Sequence, residues 1–201
     1  MLVRELMSRP AITINPEARL KEALVVIDEH SITSMPVVDS QGRLVGVISE
    51  ANLIQNAVRP DERKHLIPVH MDEDARPYCV ADVMSRQVLS VNADDDVTDA
   101  VALMTGTVVK SLPVLSEGRV VGMLSRRDIV HALARRDGDI HDAIERLAHA
   151  AGYAWRIAVD SGAVTIEGAA TDSETRLARG LAASVAGVVA VHVHPTEGAS
   201  T

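Results

Sequence analysis

Gly122–Asp128 reads GMLSRRD, and Gly46–Asn52 reads GVISEAN. The two stretches are imperfect copies. Each is a glycine, three residues rich in apolar side chains with Ser at the end, and then a polar start that closes on Asp or Asn. The copying extends outward from them. Val3–His30 aligns with Val80–Thr107 without a gap, sharing Val, Met, Ser, Arg and Asn. Ser34–Ser49 aligns with Ser111–Ser125 with one residue deleted in the turn. An offset of about 77 residues, kept through Met-Ser-Arg, Pro-Val and Gly-Arg-x-Val-Gly in the same order, is an internal duplication and decides the fold.

Each copy carries the same pattern of elements. Leu20, Ala23, Leu24 and Ile27 recur at helical spacing, and Val97, Val101 and Met104 do so in the second copy. Two short apolar runs follow, Pro36–Val38 and Leu44–Ile48, around Asp39-Ser40-Gln41-Gly42, which predicts a hairpin. In the second copy the turn tightens to Ser116-Glu117-Gly118. Glu50–Ala57 and Arg126–Ala134 then predict a second helix. The order is β-α-β-β-α, twice, and the fold class is α/β (α+β). Between the copies lies a polar stretch with three prolines and no sustained period, read as a linker over residues 59–79. Within it Cys79 reads as an ordinary linker residue.

From Asp139 the pattern changes. Ile140, Ile144 and Leu147 make one helical face. Trp155, Ile157 and Val159 alternate, then Val164 and Ile166, with Asp160-Ser161-Gly162 as the turn. Thr171 and Glu174 form a capping box for another helix. Gly187 is expected to cap its C-terminal end, and Val189, Val191 and Val193 alternate in a last strand. This is a separate α-β-β-α-β domain with Trp155 in its core.

Composition narrows the function classes. The net charge is −8, and a nucleic-acid partner would demand a basic face. No run reaches the length of about 18 apolar residues that a membrane span needs. The N-terminal MLVRELMSRP does not read as a signal peptide. One cysteine allows no intrachain disulfide, which fits a reducing cytoplasm. No P-loop, G-x-S-x-G, H-E-x-x-H or paired-cysteine motif is present, so the expectation is a protein that is not an enzyme. His192 and His194 share a strand face without an evident third ligand, and no metal is expected. Asp94-Asp95-Asp96 precedes a helix and suits its positive end.

On Val80-x-Asp82-Val83-Met84, Leu112-Pro113-Val114 and Gly122-Met123-Leu124-Ser125-x-x-Asp128, with their first-copy partners, the duplicated part resembles a tandem pair of CBS domains, the Bateman module. On Gly162-x-Val164-x-Ile166-x-Gly168 and Val185-x-Gly187-Val188-x-x-Val191, the remainder resembles a BON domain. These resemblances divide the chain into CBS unit 1 (1–58), linker (59–79), CBS unit 2 (80–136), BON domain (139–195) and a tail (196–201). They imply two pseudo-symmetric CBS units and a regulatory role with no required cofactor. They also imply an adenosine-containing ligand (AMP, ADP, ATP or S-adenosylmethionine) and homodimerisation through the CBS units. Through the BON domain they imply attachment to an unidentified protein partner or to a membrane. The acidic C-terminal part favours the protein partner over an anionic lipid surface.

The residues themselves suit that ligand. Ser125 opens a helix, where amides and dipole favour an anion. Asp128 can accept from ribose hydroxyls, and Arg126, Arg127 or Lys110 can balance phosphate. By the family's manner, adenine would lie between Val88 and Leu89 on one side and Val109, Leu112 and Pro113 on the other, with Ser90 or Ser111 at the base edge. S-x-x-D is equally a helix cap with an acid in the first turn. The first copy offers a weaker second site, Ser49, Asn52, Ile12, Met35 and Pro36. There Asn52 lacks the carboxylate's charge, and Glu50 would repel phosphate. Unequal sites are therefore expected, with the Asn52 position weak, empty or selective for a less anionic adenosine compound. A scaffold that binds no ligand and a BON-led peripheral membrane protein are the rival readings.

Overall fold

The computed structural model describes residues 1–58 and 78–195. Most of the expected linker, and the tail 196–201, lie outside these residues. The chain divides into two units, one spanning Leu2–Ser125 and the other beginning at Arg126.

In the first unit the duplication is visible element by element. The first copy holds α1 (Val3–Leu6), α2 (Leu20–Glu29), β1 (Ser34–Val38), β2 (Leu44–Ser49) and α3 (Glu50–Ala57). The second holds α4 (Val80–Val83), β3 (Val91–Asn92), α5 (Val97–Gly106), β4 (Ser111–Ser116) and β5 (Arg119–Ser125). Both hairpins are antiparallel, with the same register shift, after Val37 and after Val114. Strand β3 runs parallel to β4. Its first-copy counterpart shrinks to one parallel bridge, Ile14 to Val37. The expected first strand is thus barely present in copy one.

Burial follows the repeat. Ile14, Leu20, Ala23, Met35, Val37, Ile48, Leu53 and Val80 form one core. Their counterparts Val91, Val97, Ala100, Leu112, Val114, Leu124, Ile129 and Val3 are all buried as well. Val80 belongs by sequence to the second copy yet packs in the core of the first. The exchange is reciprocal: Val80 and Ala81 donate to Ala18 O and Pro16 O, while Val3 and Arg4 donate to Asp95 O and Ala93 O. Ser85 bridges to Val47, and Ser8 to Met123. Each copy is therefore closed by the leading segment of the other, which explains the two short helices that no periodicity announced. The duplicated strand glycine permits the crossing. A Cβ on Gly46 would stand 2.6 Å from Met84 Sδ, and one on Gly122 would stand 2.7 Å from Met7 Sδ and 2.8 Å from Ser8 O. Gly122 lies inside β5, and close approach is its role.

The second unit comprises α6 (Arg126–Leu133), α7 (Asp137–Ala150), β6 (Arg156–Asp160), β7 (Ala163–Ala169), α8 (Asp172–Ser184) and β8 (Ala190–Pro195). From α7 onward the order is the α-β-β-α-β read from the sequence. The sheet runs β6-β7-β8, antiparallel and then parallel. Ile140, Ile144, Trp155, Val164, Ile166 and Ala178 build its core. Both carboxylate oxygens of Asp137 accept from the tight turn, from Ser161 N at 2.7 Å and Gly162 N at 2.8 Å. Thr171 caps α8 by accepting from Glu174 N. Gly187 is not that helix's cap, since α8 closes at Val185. Gly187 has a φ of +93°, and a Cβ there would meet Ile140 Cδ1 at 2.9 Å.

Candidate functional site

Ser34 and Ser111 are the same residue of the two copies, and their hydroxyls lie 2.6 Å apart. Only equivalent atoms near a pseudo-twofold axis can meet in this way. Arg43 and Arg119, also counterparts, bridge likewise. The axis brings β1 beside β4, so the start of α3 faces residues of the second copy.

A cleft of about 440 Å³ opens there. One side is Thr33, Ser34, Val47, Ser49, Glu50, Ala51 and Asn52. The other is Ser85, Gln87, Val88, Leu89, Val108, Val109, Lys110, Ser111 and Pro113. The walls are mainly apolar, with hydroxyl and amide groups among them, a common form for a small-molecule site. Ser49 and Asn52 form a complete reciprocal cap. Asn52 N donates to Ser49 Oγ at 3.3 Å, and Asn52 Oδ1 accepts from Ser49 N at 3.1 Å and from Ser49 Oγ at 2.5 Å. Capping and ligand contact are compatible, because the amide nitrogen of Asn52 takes no part in these bonds. Glu50 Oε1 lies 3.9 Å from Lys110 Nζ, with both side chains partly exposed.

The expected site residues are regrouped. Val88, Leu89, Val109, Lys110, Ser111 and Pro113, assigned from sequence to the Asp128 site, line one cleft with Ser49 and Asn52, assigned to the weaker one. Ser90, Ile12 and Pro36 are not among its lining residues. Leu112 and Met35 are fully buried core side chains. Ser125 ends β5, and Arg126, Arg127 and Asp128 form the first turn of α6, in the other unit. Reading each copy as its own site misses the crossing of strands at the axis. Thr33, Ser85, Gln87 and Val108 were missed for the same reason. No motif marks them, and only the duplicated Ser34/Ser111 hints that counterparts meet.

Within the second unit, His131, Arg135, Arg136, Asp139, Asp142 and Arg146 line another cleft of about 400 Å³. His192 and His194 are exposed on β8. Among the described residues no helix is long and apolar enough to cross a membrane.

Two duplicated units joined about a pseudo-axis, with a small-molecule cleft beside it, define a paired ligand-binding module. The chain belongs to the CBS domain family, whose model matches residues 3–59 and 80–135. It is 32% identical over 139 residues to a CBS domain-containing protein of Dictyostelium discoideum, covering 67% of this chain and 92% of that one. It is 29% identical over 154 residues to an uncharacterised protein of Methanocaldococcus jannaschii, covering 66% and 91%. Among solved structures it is similar to CBSX2 in complex with AMP, with a TM-score of 0.55 and 28% identity over 65% of this chain and 94% of that chain. It is also similar to the CBS domain of a membrane protein from Sphaerobacter thermophilus, with a TM-score of 0.52 and 26% identity over 65% and 86%.

Proposed function

We propose that this protein is a non-catalytic regulator that binds an adenosine-containing ligand in its CBS pair and relays occupancy to a protein partner through a BON-like C-terminal domain. The observation that carries the reading is the cleft itself. Aliphatic Val88, Val109 and Pro113 suit the faces of a purine, while Ser49, Asn52, Ser34 and Ser111 offer hydrogen-bonding groups for ribose and base edge. The AMP complex of CBSX2 supports the ligand class. Ser125 and Asp128, the counterparts of Ser49 and Asn52, carry the sequence expectation of the main adenosine site, with the Asn52 position the weaker one. The protein works as a cytoplasmic homodimer, and exposed Ile54 on α3 is a candidate apolar contact.

The test is a thermal-shift panel of AMP, ADP, ATP, S-adenosylmethionine and GTP on wild type, Asn52→Ala and Asp128→Ala. A ligand at 100 times its Kd stabilises the folded state by about 2.7 kcal/mol. We expect at least one adenosine compound to shift the transition, and GTP to do so less. Loss of the shift in one variant assigns the position that binds. Absence of any shift would leave the CBS pair as a scaffold.

A further inference from the structure

The cleft's charges bear on which adenosine compound it accepts, and this inference rests on the adenosine reading above. Among the described residues, the charged residues of the lining are Glu50 and Lys110, one of each sign, 3.9 Å apart. Together these two contribute no net charge to the lining. Helix α3 does little to make up the deficit. Of the three amides that open it, Glu50 N already donates to Thr33 O at 2.9 Å and Asn52 N to Ser49 Oγ at 3.3 Å. A helix start attracts anions through such amides, and here two of three are engaged. Glu50 then adds a carboxylate in the first turn, where a phosphate would otherwise sit.

Both charged residues are sequence neighbours of groups that hold the nucleoside. Glu50 follows Ser49, and Lys110 stands between Val109 and Ser111. A polyphosphate tail that reaches this pair meets one attractive and one repulsive charge, so the pair offers no net compensation for the negative charge that each added phosphate brings. A tail carrying both an ammonium or sulfonium and a carboxylate finds a partner for each sign.

We propose that this cleft selects adenosine compounds by tail charge, taking neutral or zwitterionic 5′ substituents and disfavouring di- and triphosphates. Glu50 is the residue that sets the choice. The other copy places Arg126 at the equivalent position, so the duplication has diverged in sign there.

The experiment follows the backbone amide resonances of Val88 and Lys110 in the full chain, so that binding elsewhere does not enter the result. Adenosine, S-adenosylmethionine, AMP, ADP and ATP are titrated into wild type, Glu50→Gln and Glu50→Arg. Adenosine, being uncharged, reports whether a variant keeps its cleft. In wild type we expect ATP to bind about tenfold or more weakly than adenosine or S-adenosylmethionine. Glu50→Arg should reverse that order, read as the ratio of ATP to adenosine affinity within each variant, with Glu50→Gln between. ATP binding as tightly as adenosine in wild type would overturn the proposal and leave the adenosine site standing. So would an ATP-to-adenosine ratio that Glu50→Arg does not move. If no adenosine compound moves these amides, the reading of the cleft falls, and the charge selection falls with it.

Discussion

Gly46 and Gly122 hold the same place in the two copies but differ in what a methyl group would strike. At Gly46 the nearest atom is Met84 Sδ, the end of a flexible side chain, with Ser85 O at 3.1 Å. At Gly122 the methionine sulfur is joined by a backbone oxygen, Ser8 O at 2.8 Å. A side chain can turn away, whereas a paired backbone must move with its strand. Overpacking costs about 1–3 kcal/mol. We therefore expect Gly122→Ala near the upper end of that range and Gly46→Ala near the lower end, read from urea midpoints at equal m-values. Equal losses would mean that the leading segments yield as easily as a side chain does. The glycines stood out in the sequence as part of the repeated phrase, but their reason did not. The atoms they accommodate come from the opposite copy, and a pattern read along one copy carries no information about crossing.

The long helices and hairpins were read to within a residue or two, because they satisfy their own periodicity and turn chemistry locally. Glu50–Ala57 forms as expected, and Gly42 and Gly118 take positive φ at the two hairpin turns. The leading helices α1 and α4 have four residues each, too few to show a period, and they are held by packing on the other copy. That packing can be measured. Val80 is fully buried in the cluster that holds Leu20, Ala23 and Val37. Val80→Ala should cost about 2 kcal/mol, in the usual range for removing buried methyl groups. A double-mutant cycle of Val80→Ala with Leu20→Ala should depart from additivity by more than about 0.5 kcal/mol. The cycle with Val97→Ala, the counterpart of Leu20 in the second copy, should be additive. The opposite pattern would place Val80 in its own copy's core and undo the exchange of segments.

At the scale of the whole molecule, charge and spectroscopy each separate parts of the chain. Three acids carry depressed pKa values through local donors. Asp82 is held down first by the Cys79 amide and then by that of Tyr78, Asp96 by Thr98, and Asp39 by the backbone and guanidinium of Arg43. A carboxyl that is more acidic when folded stabilises the fold above its unfolded pKa and loses that contribution as pH falls through its folded value. Stability should thus be level from neutrality to about pH 5 and decline below about pH 4. Asp82→Asn should flatten part of that limb in acid titrations followed by far-UV circular dichroism; an unchanged limb would put the acid sensitivity elsewhere. The relay can be tested without knowing the partner, because the only tryptophan, Trp155, lies in the C-terminal core and stacks on Tyr153 at 4.6 Å. Its fluorescence follows that unit, while circular dichroism follows both. A ligand shifts an equilibrium only by its differential affinity for the two states. If occupancy of the CBS cleft is passed on, a bound adenosine compound must therefore change the free energy of the unit that contains Trp155. We expect saturating ligand to raise the fluorescence midpoint together with that of circular dichroism. A shift in circular dichroism alone, with the Trp155 transition unmoved, would show that the binding energy stays in the CBS pair and that the C-terminal domain is a passive attachment.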